Sequence, residues 1–222
     1  MGPPVAWDRL KDALQPQSTA GGLSVVALGE VHAEALEPLT RHFQRVEQLV
    51  LDVPPRAPLA SHRAEFNRAV DAATNDWLLI VREREVVDEP LAVELASVVA
   101  SAKARGFRIR SVPIYAGGPL AIDSGESDVR LFHRRYYLRY ANEGEWQQLA
   151  VQGTVVRLEG VLRAITFESA AAHHAYLEKH GTPRSALRRA ARFLRTVIAT
   201  GALDRNTLGY LWIEAGFEVG GR

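Results

Sequence analysis

Residues 75–87 read NDWLLIVREREVV. An apolar run from Trp77 to Val81 stops at four alternating charges, Arg82, Glu83, Arg84 and Glu85. A buried strand that ends in such a cluster delivers it to one edge of a sheet. Two guanidinium groups there suit phosphate oxygens, because each is always charged and offers a two-pronged set of donors. If the strand continues, Arg82 and Arg84 share a face and Glu83 takes the other. Glu85 is placed to pair with either arginine, and a salt-bridged surface turn is the plainer reading of the same residues. Asp52 is a second candidate, closing another apolar run, EQLVLD, at residues 47–52. It serves either a ligand or a turn.

Other chemistry-bearing residues are more scattered. LGEVH, residues 28–32, sets Glu30 and His32 just after an apolar run, with His42 further on. Two metal ligands on one helical face need a spacing of three or four, and His32 and His42 do not have it. A metal or hydrolytic site on Gly29, Glu30, Val31 and His32 therefore stands third among the functional readings. His173 and His174 are adjacent, and neighbours on a helix point apart. There is no G-x-S-x-G nucleophile elbow.

Bulk properties exclude more than they assign. The chain has 222 residues, with 27 Lys and Arg against 26 Asp and Glu and a net charge of +1, so no global field gathers nucleic acid or acidic substrates. Without cysteine there is no disulfide, thiolate metal site or cysteine nucleophile. The N-terminal residues lack the basic start and apolar centre of a signal peptide. No apolar run approaches the roughly 18 residues of a membrane span. The expectation is a cytoplasmic protein.

The elements that must position these residues follow from periodicity. Residues 6–14 predict a short amphipathic helix and 17–22 a linker. LSVVAL (23–28) predicts a buried strand, 30–46 a helix that Pro38 shortens or kinks, and 47–52 a second strand. A proline-stiffened loop precedes a helix over 62–76, and DWLLIV forms the third strand. Residues 88–106 predict a helix with an acidic start, an early proline and a glycine at its end, followed by a strand at 107–112. Alternation of strand and helix predicts an α/β fold: a mostly parallel sheet flanked by helices, with ligands beyond the carboxyl ends of its strands. No glycine-rich phosphate loop follows any strand.

After residue 112 the pattern changes. A long loop spans 113–128, and 129–140 and 149–167 predict short antiparallel strands. Helices follow at about 169–180, 183–200 and 204–216. The helix at 183–200 is basic and amphipathic. Arg184, Arg188, Arg192 and Arg195 form one stripe, and Leu187, Ala191, Leu194, Val197 and Ile198 another, with no acid between Lys179 and Leu203. Such a helix packs its apolar side on the sheet, or rests on the inner face of an anionic membrane. Aromatics are not interleaved with its charges as nucleic-acid binding prefers.

Taken in order, several segments resemble glycosyltransferase family 2, nucleotide-sugar-dependent enzymes of GT-A fold that elongate cell-surface polysaccharide or lipopolysaccharide core. The segments are LSVVAL, LVLD at Asp52, FNRAVDAATNDWLL with Asn67, ESDVRLFHRR (126–135), LAVQG (149–153), AYLEKH (175–180) and GALDRNTLGYLW (201–212). The resemblance covers about residues 23–216. It implies a single GT-A-like domain over 1–222, with a nucleotide-binding half at about 23–112 and an acceptor-side half and helical tail at about 113–222. It implies nucleoside binding at Asp52, with Asn67 nearby. The acid that the family places before its RLF segment falls near Glu126 and Asp128, which become candidates for the catalytic base, with Glu145 as another.

The chain departs from the family where the chemistry sits. The family's metal-binding DADE segment falls on Arg82, Glu83, Arg84 and Glu85. Its VHE triplet falls on Glu145, Trp146 and Gln147, and a family histidine falls on Ala164. With arginines in the place of metal-binding aspartates, the expectation is metal-independent binding of the diphosphate by Arg82 and Arg84, without Mg or Mn. The leading reading is a protein that binds a nucleotide or nucleotide sugar and transfers a sugar to a glycan or lipid-linked acceptor. The alternative is a catalytically inactive homologue acting as a scaffold or regulatory partner.

Overall fold

A computed structural model describes residues 20–53, 59–101, 103–120, 128–138, 149–183, 185–201, 204–215 and 217–219. The predicted helix at 6–14 and the first part of the 17–22 linker lie outside them.

The architecture is the expected α/β one, a mostly parallel sheet flanked by helices with small antiparallel additions and C-terminal helices. β1 (Ala20–Leu28) lies between β2 (Phe43–Leu51) and β3 (Trp77–Arg82), parallel to both. Next come β7 (Asp128–His133), β5 (Gly106–Tyr115), β10 (Val155–Phe167) and β4 (Glu85–Val87), so the order is β2-β1-β3-β7-β5-β10-β4. β7 runs antiparallel to both its neighbours, and β4 runs antiparallel to β10. β6 (Gly118–Pro119) pairs with β5. Two small antiparallel pairs stand apart: β8 (Tyr137–Leu138) with β9 (Ala150–Val151), and β11 (Gly181–Pro183) with β12 (Phe217–Val219).

The strands at the centre are apolar on both faces because both faces are covered. Leu23, Val25 and Ala27 point to one side with Trp77, Leu79 and Val81, under Leu39 of α1 (Glu37–His42) and Leu91 and Leu95 of α3 (Glu89–Ser101). Val26 and Leu28 point to the other with Leu78 and Ile80, under Phe66 and Val70 of α2 (Arg63–Ala72). Phe66 is fully buried, 5.7 Å edge-on from Tyr137 and 6.3 Å from Phe132. Burial of such a ring stabilises by roughly 1.5–3 kcal/mol.

Several predicted boundaries move, each for a local reason. The helix expected over 30–46 is reduced to a 3-10 turn at Ala33–Ala35 and α1. Pro38 cannot donate to a carbonyl a turn earlier and is tolerated only in a helix's first turn, where it sits. β2 consequently starts at Phe43 rather than 47. α3 ends at Ser101, and Gly106 opens β5 instead of capping the helix. Asp88 caps α3 by accepting from Leu91 N–H at 3.1 Å. β5 continues through Pro113 to Tyr115, because its pairing with β7 has ended at Ile109 and no ladder bond to that neighbour is lost.

The segment 149–167 differs most. β10 is one 13-residue strand, parallel to β5 and antiparallel to β4, while the short antiparallel pairing expected of these segments is made by β7 and by β8 with β9. A register shift between Arg157 and Val161 bulges it. Glu94 of α3 accepts the freed N–H groups of Glu159 at 3.0 Å and Gly160 at 2.7 Å. The C-terminal helices are α4 (Ala170–His180), α5 (Ala186–Thr200) and α6 (Arg205–Ala215).

A polar cluster ties the opposite, amino-terminal edge of the parallel strands. Glu47 Oε2 accepts from the buried Ser24 hydroxyl at 2.6 Å and from Thr74 N–H at 2.9 Å and hydroxyl at 3.0 Å. Burial pushes the Glu47 carboxyl up, but these hydrogen bonds outweigh it and hold it below the ordinary glutamate value. Its folded pKa is therefore depressed. The stability it contributes is full above the unfolded value, about 4.3, and is lost as pH falls through the depressed one. Glu47→Gln is expected to remove that contribution: in urea titrations across the acid range, the variant should show a flatter fall of stability below about pH 4.3 than the native chain.

Candidate functional site

β1, β2, β3, β5 and β10 all end on one side, at Leu28, Leu51, Arg82, Tyr115 and Phe167. Strand carboxyl ends are where open α/β sheets carry ligands. The segments that follow the first three are laced together. Gly29 N–H donates to Leu51 O at 2.9 Å, and Glu83 N–H donates to Leu28 O at 2.8 Å. Gly29 has φ +83°, and a Cβ there would stand 3.3 Å from both Cβ and Oε2 of Glu83. The glycine of LGEVH is thus required by backbone geometry and close approach.

A two-residue turn, Glu83–Arg84, joins β3 to β4. In the sheet these strands are separated by β7, β5 and β10. Two residues cannot cross four strand spacings of roughly 4.8 Å each in a flat sheet, so the sheet curls until β10 approaches the end of β3. Arg84 C=O accepts from Ile165 N–H at 2.8 Å and closes that approach. Arg84 has φ 65°, a left-handed conformation that costs a side-chain-bearing residue roughly 1–2 kcal/mol. Of the two sequence readings, a strand continuing through the cluster or a salt-bridged turn, the chain makes a turn, so Arg82 and Arg84 do not share a strand face.

The curl leaves a cleft of about 460 Å³ between the 3-10 turn, β4, the end of β10 and α4. Val31, Ile165, Phe167 and Tyr176 supply apolar and aromatic wall, and Arg84, His32 and Glu168 supply charge and polarity. The Arg84 side chain is 62% exposed; its guanidinium donates to Thr166 O at a long 3.4 Å and lies 3.8 Å from Glu83 Oε1.

Beneath this turn lies an ion-pair network that sequence reasoning missed. Arg130 of β7 and Glu85 of β4 are each 3% exposed. Arg130 Nη2 donates to Glu85 Oε1 at 3.2 Å and Nη1 to Oε2 at 3.5 Å. Glu85 Oε2 also accepts from Arg82 N–H at 2.8 Å. Burial pulls the Arg130 guanidinium below its usual value, opposed by Glu85. Arg130 Nε has no hydrogen-bond partner among the described residues. The available signal was an arginine inside the apolar run VRLF, where only a buried counter-charge makes it tolerable.

The predicted site residues meet in part. Arg82 Nη2 donates to Asp128 Oδ2 at 3.3 Å, and the same carboxylate oxygen lies 3.8 Å from Arg130 Nη2. Asp52 is exposed on the same edge, one residue past the end of β2, but it and Arg82 do not line the cleft. Asn67 accepts the Tyr137 hydroxyl at 2.7 Å and joins α2 to β8. Glu126 and Glu145 lie outside the described residues. Glu30 is exposed; His42 Nε2 lies 2.7 Å from Glu89 Oε1. Among the described residues, no group of three or more His, Asp or Glu side chains comes together as a metal-binding cluster.

His173 and His174 separate as expected. His174 faces Glu178 at 3.3 Å. His173 is fully buried, stacked 4.3 Å from Phe167 and 5.0 Å from Tyr210, with Nε2 2.9 Å from Glu214 Oε1. That hydrogen bond holds the Glu214 carboxyl below its ordinary value. The arrangement fastens α6 and α4 behind the cleft wall formed by Phe167.

Fold and edge together define an α/β protein with an aromatic-walled cleft at the carboxyl ends of its strands, lined by Arg84. No protein-family model matches the chain, and no curated protein sequence does. Eight chains of solved structures match. One is TarS residues 1–349 from S. aureus, 8% identical over 87% of this chain and 70% of that one, with a TM-score of 0.37. Among the described residues no helix is long and apolar enough to cross a membrane.

Proposed function

We propose that this is a glycosyltransferase family 2-like protein that binds a nucleotide or nucleotide sugar at the carboxyl edge of its sheet, using guanidinium groups where relatives in that family use a metal. The ordered sequence resemblance supplies the class. The observation that carries the ligand is Arg84: a long cation held in a costly left-handed backbone at the mouth of the cleft. Strained positions of this kind concentrate at ligand sites. Arg82 ends the adjoining strand with its guanidinium about half exposed and partly neutralised by Asp128.

The residues in the metal positions do not fit a divalent cation. Glu85 is committed to Arg130, Glu83 packs against Gly29, and Arg82 and Arg84 repel positive charge. An anion is the species this corner favours. A diphosphate in contact with both guanidinium groups would have its charge compensated as the sugar–phosphate bond weakens.

Asp128 supports the second reading, an inactive homologue serving as scaffold or regulator. Its Oδ2 already faces Arg82 at 3.3 Å and Arg130 at 3.8 Å, so it is occupied by two guanidinium groups rather than turned to an acceptor hydroxyl. Its place in the structure suits it to aim Arg82.

Calorimetry with UDP, GDP and their sugars, with and without Mn²⁺, tests the proposal. Binding that is equal with and without the metal is the expected result. Binding that appears only with Mn²⁺ refutes the arginine reading, and no binding by any nucleotide leaves the scaffold. Turnover of a bound nucleotide sugar, followed by release of free nucleotide, separates enzyme from binder.

A further inference from the structure

We infer that α5 is a docking face for an anionic lipid surface, independently of what occupies the cleft. One side of α5 is already used. Phe193 meets Trp212 of α6 edge-on at 5.3 Å, and the Arg189 guanidinium lies 4.3 Å over the Trp212 ring while its Nε donates to Trp212 O at 3.2 Å. Residues 100° apart per step then place Ala191, Leu194 and Ile198 on the opposite, outward side. They are exposed there, Leu194 at 57% and Ile198 at 81%. The alternative expected from sequence, in which the apolar stripe packs on the sheet, fails for these two residues.

Arg188, Arg192 and Arg195 are also exposed and flank that apolar stripe on one side. The helix contains no acid. An outward strip of aliphatic side chains beside a row of cations is the pattern of a helix lying in a membrane interface. The aliphatic groups enter the acyl boundary, and the guanidiniums stay at the phosphates. A second copy of the chain fits poorly, because it brings three more arginines and no acid to the face.

Co-sedimentation of the full chain with vesicles tests the inference, comparing pure phosphatidylcholine with phosphatidylcholine containing phosphatidylglycerol. Binding to the anionic vesicles alone, weakened by added salt, is expected. Arg188→Gln, Arg192→Gln and Arg195→Gln together should lower the partition coefficient tenfold or more. Leu194→Ser with Ile198→Ser should lower it similarly while leaving the melting temperature unchanged. No vesicle binding, equal binding to both vesicles, or full binding by the double-serine variant overturns the proposal. So does a fall of several degrees in melting temperature for that variant, which would mean the chain's own residues cover the stripe. A native dimer in sedimentation velocity that this variant dissociates would assign the face to a second copy and overturn it too.

Discussion

Glu85→Ala is expected to destabilise the protein by about 3–5 kcal/mol, the usual cost of removing one partner of a buried ion pair. Arg130 would keep its charge, since no protein environment deprotonates arginine readily, and would be left in a site 3% exposed. Its nearest remaining carboxylate oxygen, Asp128 Oδ2, is 3.8 Å away and shared with Arg82. Arg82 N–H would lose its acceptor as well. Water entering the space cannot restore a paired carboxylate. Urea unfolding followed by circular dichroism measures the loss; a change under about 1 kcal/mol, typical of exposed pairs, would show that the pair is not buried in solution.

The converse exchange distinguishes a specific pair from general disruption. Arg130→Met with Glu85→Leu replaces both charges by apolar groups of similar reach. Such replacements are often neutral or stabilising, so the double variant should be far more stable than Glu85→Ala. Binding should respond differently. The network holds the turn that presents Arg84, and the double variant loses the carboxylate that accepts Arg82 N–H. Weaker nucleotide affinity with stability retained is the expected outcome.

Removing both cations that follow the apolar run of β3 should have the largest effect on ligand. Charge-assisted hydrogen bonds contribute roughly 1.5–3 kcal/mol each, about 10–100-fold in affinity per arginine. Arg82→Ala with Arg84→Ala is therefore expected to weaken a nucleoside diphosphate by on the order of 10²–10⁴-fold. The affinity for the corresponding nucleoside should barely change. Equal losses for both ligands would remove the diphosphate role.

Arg84→Gly adds a sharper test because its two effects have opposite signs. Glycine relieves the left-handed strain, roughly 1–2 kcal/mol, and gives back about 0.5–1 kcal/mol through the greater freedom of the unfolded chain. The variant should be as stable as the native chain or slightly more so, while losing diphosphate affinity. A residue kept only for the turn would show no loss of binding.

Much of this architecture is legible from local pattern. LSVVAL and DWLLIV announce strands because both their faces are buried, EQLVLD announces one although its outer face is open, and the helix expected over 88–106 is legible through Asp88, Pro90 and its apolar spacing, although it ends at Ser101. The parallel sheet follows from the alternation. What local pattern could not settle was pairing. Residues 155–167 have an apolar pattern compatible with a hairpin or a long parallel strand; their partner β5 lies more than forty residues away, and Glu94 stabilises the bulge that sets the register.

The candidate site divides along the same line. The sequence by itself determined that Asp52 and the Arg82–Glu85 cluster end strands, because an apolar run must stop where the chain leaves the core. Tertiary structure alone decided which of those charges reach a cleft and which are buried. The curl that brings β10 over the end of β3 turns Arg84 outward, buries Glu85 against Arg130 and sets Asp128 beside Arg82. Alternating charges carry no record of the distant strand that will neutralise one of them, and desolvation is fixed only when that strand arrives.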